Sequence, residues 1–415
     1  MDGINGQMPS IERQNAMGNA AELIRRYNAG RDPERLALKL KKMRADPFAF
    51  LRGSCHLFYD RLPQFNIGVE FPVVWLCGDL HLENFGGYKG DDRSVCFDIN
   101  DFDESALGPA SFDLARWLTS LRVSAADLDL KAADVDVLCH AYLSAYAETL
   151  ALAKSPRMDA DNADGVVRDL LNDLQKRKRP EFLDTRTERT GKSRRIRIDG
   201  RKALNVDQKQ RGVVEAFLHG FAATKSNPDF FRVLDVARRI SGTGSLGVER
   251  YVVLIEGKGS PDGNYLLDIK KALPSALAPY LHVSQPAWTA EAERVVFVQQ
   301  HMQAVSMAFL DAVKIDGDSF VLRGLQPHED RVDLTALTGK PRHLKLLVKS
   351  TGELTARAQL RSSGWRGAAA VDALIAFGQR KDWQEPLLEC SINCTLATQN
   401  DWNDFRAACD KGAFN

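Results

Sequence analysis

Apolar positions along this chain fall at helical spacing near both ends and at strand spacing in between. Ala20, Leu23, Ile24 and Tyr27, then Leu36, Leu40 and Met43, recur three or four residues apart, so residues 11–62 predict two or three helices. Asp32-Pro33-Glu34 predicts a helix start, because Pro fits the first turn and Asp supplies a capping oxygen. Two short apolar runs follow, Val73-Val74-Trp75-Leu76 and Val95-Cys96-Phe97-Asp98-Ile99, with Gly86-Gly87-Tyr88-Lys89-Gly90-Asp91-Asp92 between them. Runs of this length bounded by Gly and Asp predict a hairpin or two neighbouring strands with polar loops. Residues 112–123 and 128–152 return to helical spacing.

Strand character takes over after Arg239: residues 248–255, 265–270, 319–323 and 344–348 read as strands, and residues 290–313 as one long amphipathic helix among them. Residues 351–413 are helical, with breaks at Ser362-Ser363-Gly364 and Gln384-Glu385-Pro386. There is no internal repeat and no low-complexity linker. The expected class is α+β, divided into N-terminal helices (1–70), a helical part (71–235), a strand-rich part (236–348) and C-terminal helices (349–415).

At 415 residues, with 44% hydrophobic and 27% charged residues, the chain can bury a large core, and two lobes or domains are expected. Its 56 basic and 55 acidic residues nearly cancel, so no global field draws it to nucleic acid or membrane. No apolar run reaches the roughly 18 residues of a membrane span, and Met1–Ser10 lacks the basic-then-apolar pattern of a leader, so a cytoplasmic location is expected. Seven cysteines without a Cys-x-x-Cys pair fit reduced thiols; Cys390 and Cys394, four apart, make at most a weak zinc site. Residues 176–202 carry 12 Lys or Arg against Glu181, Asp184, Glu188 and Asp199. Such a run reads as a solvated face or as a landing surface for an anionic acceptor. It lacks the interleaved aromatics of a single-stranded nucleic-acid site.

Carboxylates crowd the ends of the two short runs: Asp79 and Glu83 after the first, and Asp98, Asp101, Asp103 and Glu104 at or beyond the second. Anions this close require full solvation or a cation among them, and Asn84 adds a neutral oxygen suited to a hard ion. The spacing says more than the count. An Asp separated by four residues from an Asn, then an Asp-Phe-Asp after a strand, is the part list of kinase-type phosphotransfer. Gly78-Asp79-Leu80-His81-Leu82-Glu83-Asn84 resembles the catalytic loop of aminoglycoside phosphotransferases and choline kinases. Asp101-Phe102-Asp103-Glu104, Gly108-Pro109 and Phe112-Asp113-Leu114-Ala115 continue the likeness in order. Cys77 departs from it, since those enzymes carry His there.

The resemblance implies roles. Asp79 would act on the acceptor hydroxyl, Asn84 and Asp101 would hold magnesium, Asp103 would assist a second ion, and Asp113 would brace the loop from behind. Backbone amides of Gly242, Gly244 and Gly247 would cover the phosphates of ATP. Lys270 would grip them, with Lys271 as the alternative, unless both are solvated strand-end lysines. Glu291 or Glu293 would pair with that Lys, or serve only the helix dipole. Arg294, Gln300 and His301 read as packing or surface residues, and Arg52 as a phosphate contact or a solvated Arg beside a turn. His81 stands where protein kinases carry Lys, which points to a small-molecule acceptor rather than a protein.

The implied activity is an ATP- and magnesium-dependent phosphotransferase; AMP transfer to a protein and non-catalytic nucleotide binding are the alternatives. In kinases the Gly-rich lobe precedes the catalytic loop, whereas Gly242 here follows Asp79. A circularly permuted, kinase-like two-lobe fold accounts for the order. So would an unrelated Gly-rich domain, or a chance likeness of the loop. The whole chain also resembles an uncharacterised bacterial group, domain-of-unknown-function family 2252. The likeness rests on Asp46-Pro47-Phe48-Ala49-Phe50-Leu51-Arg52-Gly53, Gly78–Gly86 and Asn100-Asp101-Phe102-Asp103-Glu104. That resemblance implies no activity.

Overall fold

Helices open the chain because successive caps restart it. The computed structural model describes residues 19–65 and 67–414; residues 1–18, including Met1–Ser10, lie outside the described residues. Among the described residues four helices come first: α1 (Ala20–Tyr27), α2 (Pro33–Ala45), α3 (Pro47–Gly53) and α4 (Cys55–Arg61). The Asp32 carboxylate accepts from the Arg35 N–H and caps α2. There are more helices than the expected two or three because Asp46 is extended and recaps the chain, accepting from the N–H groups of Phe48 and Ala49.

Four short strands follow, β1 (Val73–Leu76), β2 (Phe85–Lys89), β3 (Val95–Ile99) and β4 (Ala106–Pro109). They form two separate antiparallel pairs, β1 with β4 and β2 with β3. The two apolar runs are therefore not each other's partners, and the glycine-bearing stretch expected as a loop is itself a strand. Gly86 and Gly87 mark close packing there: an added Cβ would lie 2.5 Å from Asn100 Nδ2 at the first and 3.0 Å from Leu174 Cδ2 at the second.

Helices α5 (Ser111–Val123), α6 (Ala132–Leu152), α7 (Gly165–Lys176) and α8 (Arg179–Asp184) lead to a hairpin of β5 (Thr187–Thr190) and β6 (Ser193–Ile196). Next come β7 (Ala203–Leu204), α9 (Gln208–Ala223), β8 (Val233–Arg239), β9 (Arg250–Ile255) and β10 (Tyr265–Lys271). The chain continues through α10 (Glu291–Met302), β11 (Asp311–Ile315), β12 (Asp318–Gly324), α11 (Pro341–Arg361), α12 (Val371–Gln379) and α13 (Gln384–Asp410). The fold is α+β, with an antiparallel sheet in the order β11-β12-β10-β9-β8-β7. Alternation sorts its two faces. Tyr251, Val253, Leu267 and Ile269 pack under Val214 and Leu218 of α9, while Val252, Leu254 and Leu266 meet Leu183 of α8 and Ile196 of β6.

Two expectations are corrected in this region. The helix begun at Glu291 ends at Met302 instead of running to residue 313. The chain turns there because the Gln303 amide donates to Ile99 O at 2.7 Å and the Ala304 N–H donates to the Asp98 carboxylate at 3.1 Å. Residues 344–348 are helical, inside α11, since a short apolar run suits a buried helix face as well as a strand. Ser362–Gly364 does end a helix, whereas Gln384-Glu385-Pro386 is the first turn of α13.

The basic segment is partly neutralised. Arg177 pairs with Asp330, Arg186 and Lys202 with Glu329, and buried Arg194 with Asp184 and Asp262. Cys390 and Cys394 lie in the core with their Sγ atoms 3.9 Å apart. Among the described residues no helix is long and apolar enough to cross a membrane.

The largest apolar core gathers α5, α6, α11, α12 and α13, where Trp117 stacks on Tyr142 at 3.7 Å and Trp383 on Phe377 at 4.9 Å. Helices α6 and α11 touch backbone to backbone: a Cβ at Gly352 would lie 2.5 Å from Tyr142 O. In a free helix Gly→Ala stabilises by about 1 kcal/mol. Here the sign should reverse, with Gly352→Ala costing about 1–3 kcal/mol as the helices are forced apart. A urea midpoint at or above that of the wild type would refute this packing.

Candidate active site

The loop after β1 is held from below. Asp113, fully buried in the first turn of α5, accepts from the N–H groups of Cys77 and Gly78, both at 2.9 Å. Burial pushes its carboxyl up to about 7, against those two N–H donors. Tyr59 donates to Gly78 O. Gly78 is obligatory: its φ is +88°, and a Cβ would meet Glu104 O at 2.1 Å. The loops carrying Asp79 and Glu104 therefore touch.

Asp79 receives Nε and Nη2 of Arg116 on one oxygen, at 3.0 and 2.7 Å. Arg116 is wholly buried, donates also to Leu51 O, and lies over the Phe58 ring at 4.7 Å. Burial raises the Asp79 pKa and Arg116 opposes it. The Asn84 amide donates to the backbone oxygen of Asp79, so it shapes the loop. Burial keeps the His81 ring neutral, and its Nδ1 accepts from the Glu83 N–H. Arg52, read as a phosphate contact or a solvated Arg, pairs with Glu83 and lines the cavity.

A cavity of about 710 Å³ brings distant segments together. Asp79, Asp101, Asp103 and Glu104 line it with Gly242, Gly244 and Lys270, and Arg31, Arg52 and Arg331 add positive charge. Lys270 is ion-paired with Asp103. Burial pushes its ammonium down to about 8, with Asp101 opposing. Asp101 is held below the usual carboxylate range: burial works against its ionisation, but Lys270, Arg323 and Arg331 outweigh it. Lys271 also lines the cavity, with its ammonium paired to Asp318 at 2.5 Å. Glu104 accepts from the Ala276 N–H at 2.5 Å and from the Tyr27 hydroxyl at 3.4 Å.

The Gly-rich turn is pinned by the N-terminal helices. Arg31 donates to Gly244 O at 2.7 Å and Leu246 O at 3.0 Å, and buried Lys39 donates to Gly244 O at 2.9 Å. A Cβ at Gly244 would lie 3.0 Å from Arg52 O and 3.9 Å from the Asp79 carboxylate. Gly247, at φ +88°, packs on Arg31 but does not line the cavity.

One pairing is corrected. Glu291 bonds Arg294 at 2.8 Å, and Glu293 bonds Thr289, so neither is the partner of Lys270; Asp103 is. The start of α10 points elsewhere because Arg294, expected as a packing or surface residue, is buried and donates to Ser105 O, Asp103 O and Leu273 O. Sequence reasoning also missed Arg31, Lys39, Arg116 and Arg331. Only Arg116, one helical turn after Asp113, carried a local signal.

Asp113→Ala should strand two buried N–H groups and cost about 1–3 kcal/mol. Thermal or urea unfolding of the variant checks this; unchanged stability would mean that the brace is ornamental.

No curated protein and no solved structure matches the chain. Residues 31–408 match the family described as "Uncharacterized protein conserved in bacteria (DUF2252)", and the chain belongs to it.

Proposed function

We propose that this protein is an ATP- and magnesium-dependent phosphotransferase acting on a hydroxyl of a small-molecule acceptor. One observation carries the reading: Asp79, Asp101, Lys270 and the Gly242–Gly244 turn come from four remote segments and line one cavity. A kinase-like fold in permuted order is the architecture this reading takes. In support, a Gly-rich turn joins β8 to β9, the Lys ends β10, and a helix follows before β11, the order in which kinases build their nucleotide lobe. The first described helix and the C-terminal segment also meet, with Arg25 donating to Ala413 O at 3.0 Å, which suits a permuted order.

In this reading Asp79 accepts the proton of the acceptor hydroxyl. Burial raises its proton affinity, which suits a general base, and Arg116 fixes its direction. Arg31, Arg331 and Lys270 offer the positive charge that a polyphosphate needs. Phosphate entry exchanges the Asp103 partner of Lys270 for a phosphoryl oxygen, which frees Asp103. Among the described residues no three carboxylate, His or Cys groups stand together as a ready cation cage. This fits magnesium, which is commonly bound by one or two carboxylates together with substrate phosphates. Asp101 would hold it with Asp103 beside it, Asn84 not lining the cavity, and it would supply charge neutralisation on the phosphoryl oxygens.

A second reading is favoured by Asp268. On the same sheet face as Lys270, this fully buried carboxylate is enclosed by Arg239, Arg250 and Arg323 at 2.7, 2.5 and 3.3 Å. That part of the face is a charged knot, a poor bed for a base. A nucleotide entering with its phosphates reversed would avoid it and would transfer AMP. Mass spectrometry of the acceptor separates a phosphoryl from an adenylyl gain.

Asp79→Asn should cut turnover by about 10²–10⁴ while sparing magnesium-nucleotide affinity, whereas Asp101→Asn should weaken both. Turnover assays alongside calorimetric titration decide it: an active Asp79→Asn enzyme sinks the base assignment, and binding without turnover in the wild type supports a non-catalytic protein.

Lys270 must be charged to grip phosphate, and burial leaves the free protein's ammonium titrating near 8. Nucleotide affinity should therefore hold below pH 8 and fall by up to about tenfold per pH unit above it, with proton uptake on binding. Lys270→Arg should flatten that profile. A wild-type affinity that is level from pH 7 to pH 9.5 would remove Lys270 from the site.

A further inference from the structure

A second cavity, of about 820 Å³, lies beyond residue 330: Asp330 lines it, while the next residue, Arg331, lines the first. Its walls are apolar and aromatic, with half-buried Phe182, Tyr265 and Phe309 exposing ring surface to it. Four cations join them: Lys89, Arg177, Lys178 and Arg179. Asp330 neutralises Arg177 through two hydrogen bonds, at 2.5 and 3.0 Å. Among the described residues no carboxylate lies within ion-pair distance of Lys89, Lys178 or Arg179. The Arg179 guanidinium instead lies 3.5 Å over the Tyr265 ring. Lys89 and Lys178 are exposed; partial burial, with Arg177 and Arg179 repelling it against Asp330, lowers the Lys89 pKa. An anion entering the cavity would pair with these cations.

We propose that this cavity is a binding site for an organic anion with a flat aromatic body, separate from the nucleotide cavity. The rings and the Arg179 plane would sandwich the body, since guanidinium and aromatic faces both stack. Lys89 and Lys178 would take the charged end. An aliphatic anion would leave the three rings unused, and a neutral aromatic would leave Lys89 and Lys178 without a ligand partner.

The test uses the full chain with anilinonaphthalene sulfonate, an aromatic anion that brightens when buried, and the uncharged phenylnaphthylamine as its control. The expected result is one sulfonate per chain. The double variant Lys89→Gln/Lys178→Gln should weaken the sulfonate by about fivefold or more and leave the neutral probe unchanged. Ala308→Phe, which narrows the cavity, should weaken both probes; circular dichroism confirms that each variant is folded. Magnesium-ATP at saturation should not displace the sulfonate. Equal effects of the double variant on both probes, no effect on either, or loss of sulfonate binding in Asp101→Asn would each overturn the proposal.

Discussion

Carboxylates and cations share the main cavity, and Asp79, Asp101 and Asp103 each face an opposite charge there. Arg116 serves Asp79 from beneath, Lys270 serves Asp103 from the sheet, and Asp101 draws on Lys270, Arg323 and Arg331 together. Burial alone would drive these carboxyls toward the neutral form. The rest of the structure answers to that requirement: α5 delivers Arg116, β10 delivers Lys270, and the N-terminal helices deliver Arg31 and Lys39. Removing any one partner leaves a buried charge unpaired, which costs more than the pair itself gains.

The acids of the site were readable because they sit in short local patterns. Asp79 and Asn84 share one loop, and Asp101 and Asp103 follow one strand. Asp113 was equally local, two residues into a helix. The cations were not readable, since an Arg in an amphipathic helix looks the same whether it faces water or a carboxylate. Arg31 and Arg52 acquire meaning only when the turn at Gly244, more than 190 positions away, is laid across them. The misread elements have similar causes. Residues 344–348 are apolar enough for either period, and only the full 21-residue span of α11 decides it. Gly86 and Gly87 look like a turn, but their role is to admit Asn100 and Leu174.

The sheet face beside the cavity illustrates a trade. Asp268 and its three arginines occupy the centre of an otherwise apolar surface that α8 and the β5–β6 hairpin cover. A hydrophobic replacement of similar volume would pack there with little or no loss of stability. What the charges add is direction: Arg239 also ties the sheet to Gln326 O, and Arg323 to Asn100 O. These bonds fix the sheet against the loop that carries Asp101.

The clasp between the first helices and the Gly-rich turn has a consequence for biosynthesis. Asp32 meets Arg238 across 206 positions, and Arg31 reaches Gly244 across 213. A ribosome completes the Asp79 loop and its helical brace long before it makes the turn, the Lys strand or the helices that bury α1. Contacts closing such long loops form late and slowly. The emerging chain therefore carries Asp101 and Asp103 before Lys270 exists to face them, in a state open to chaperones and proteases. The assembled cavity comes into being only once nearly the whole polypeptide is made.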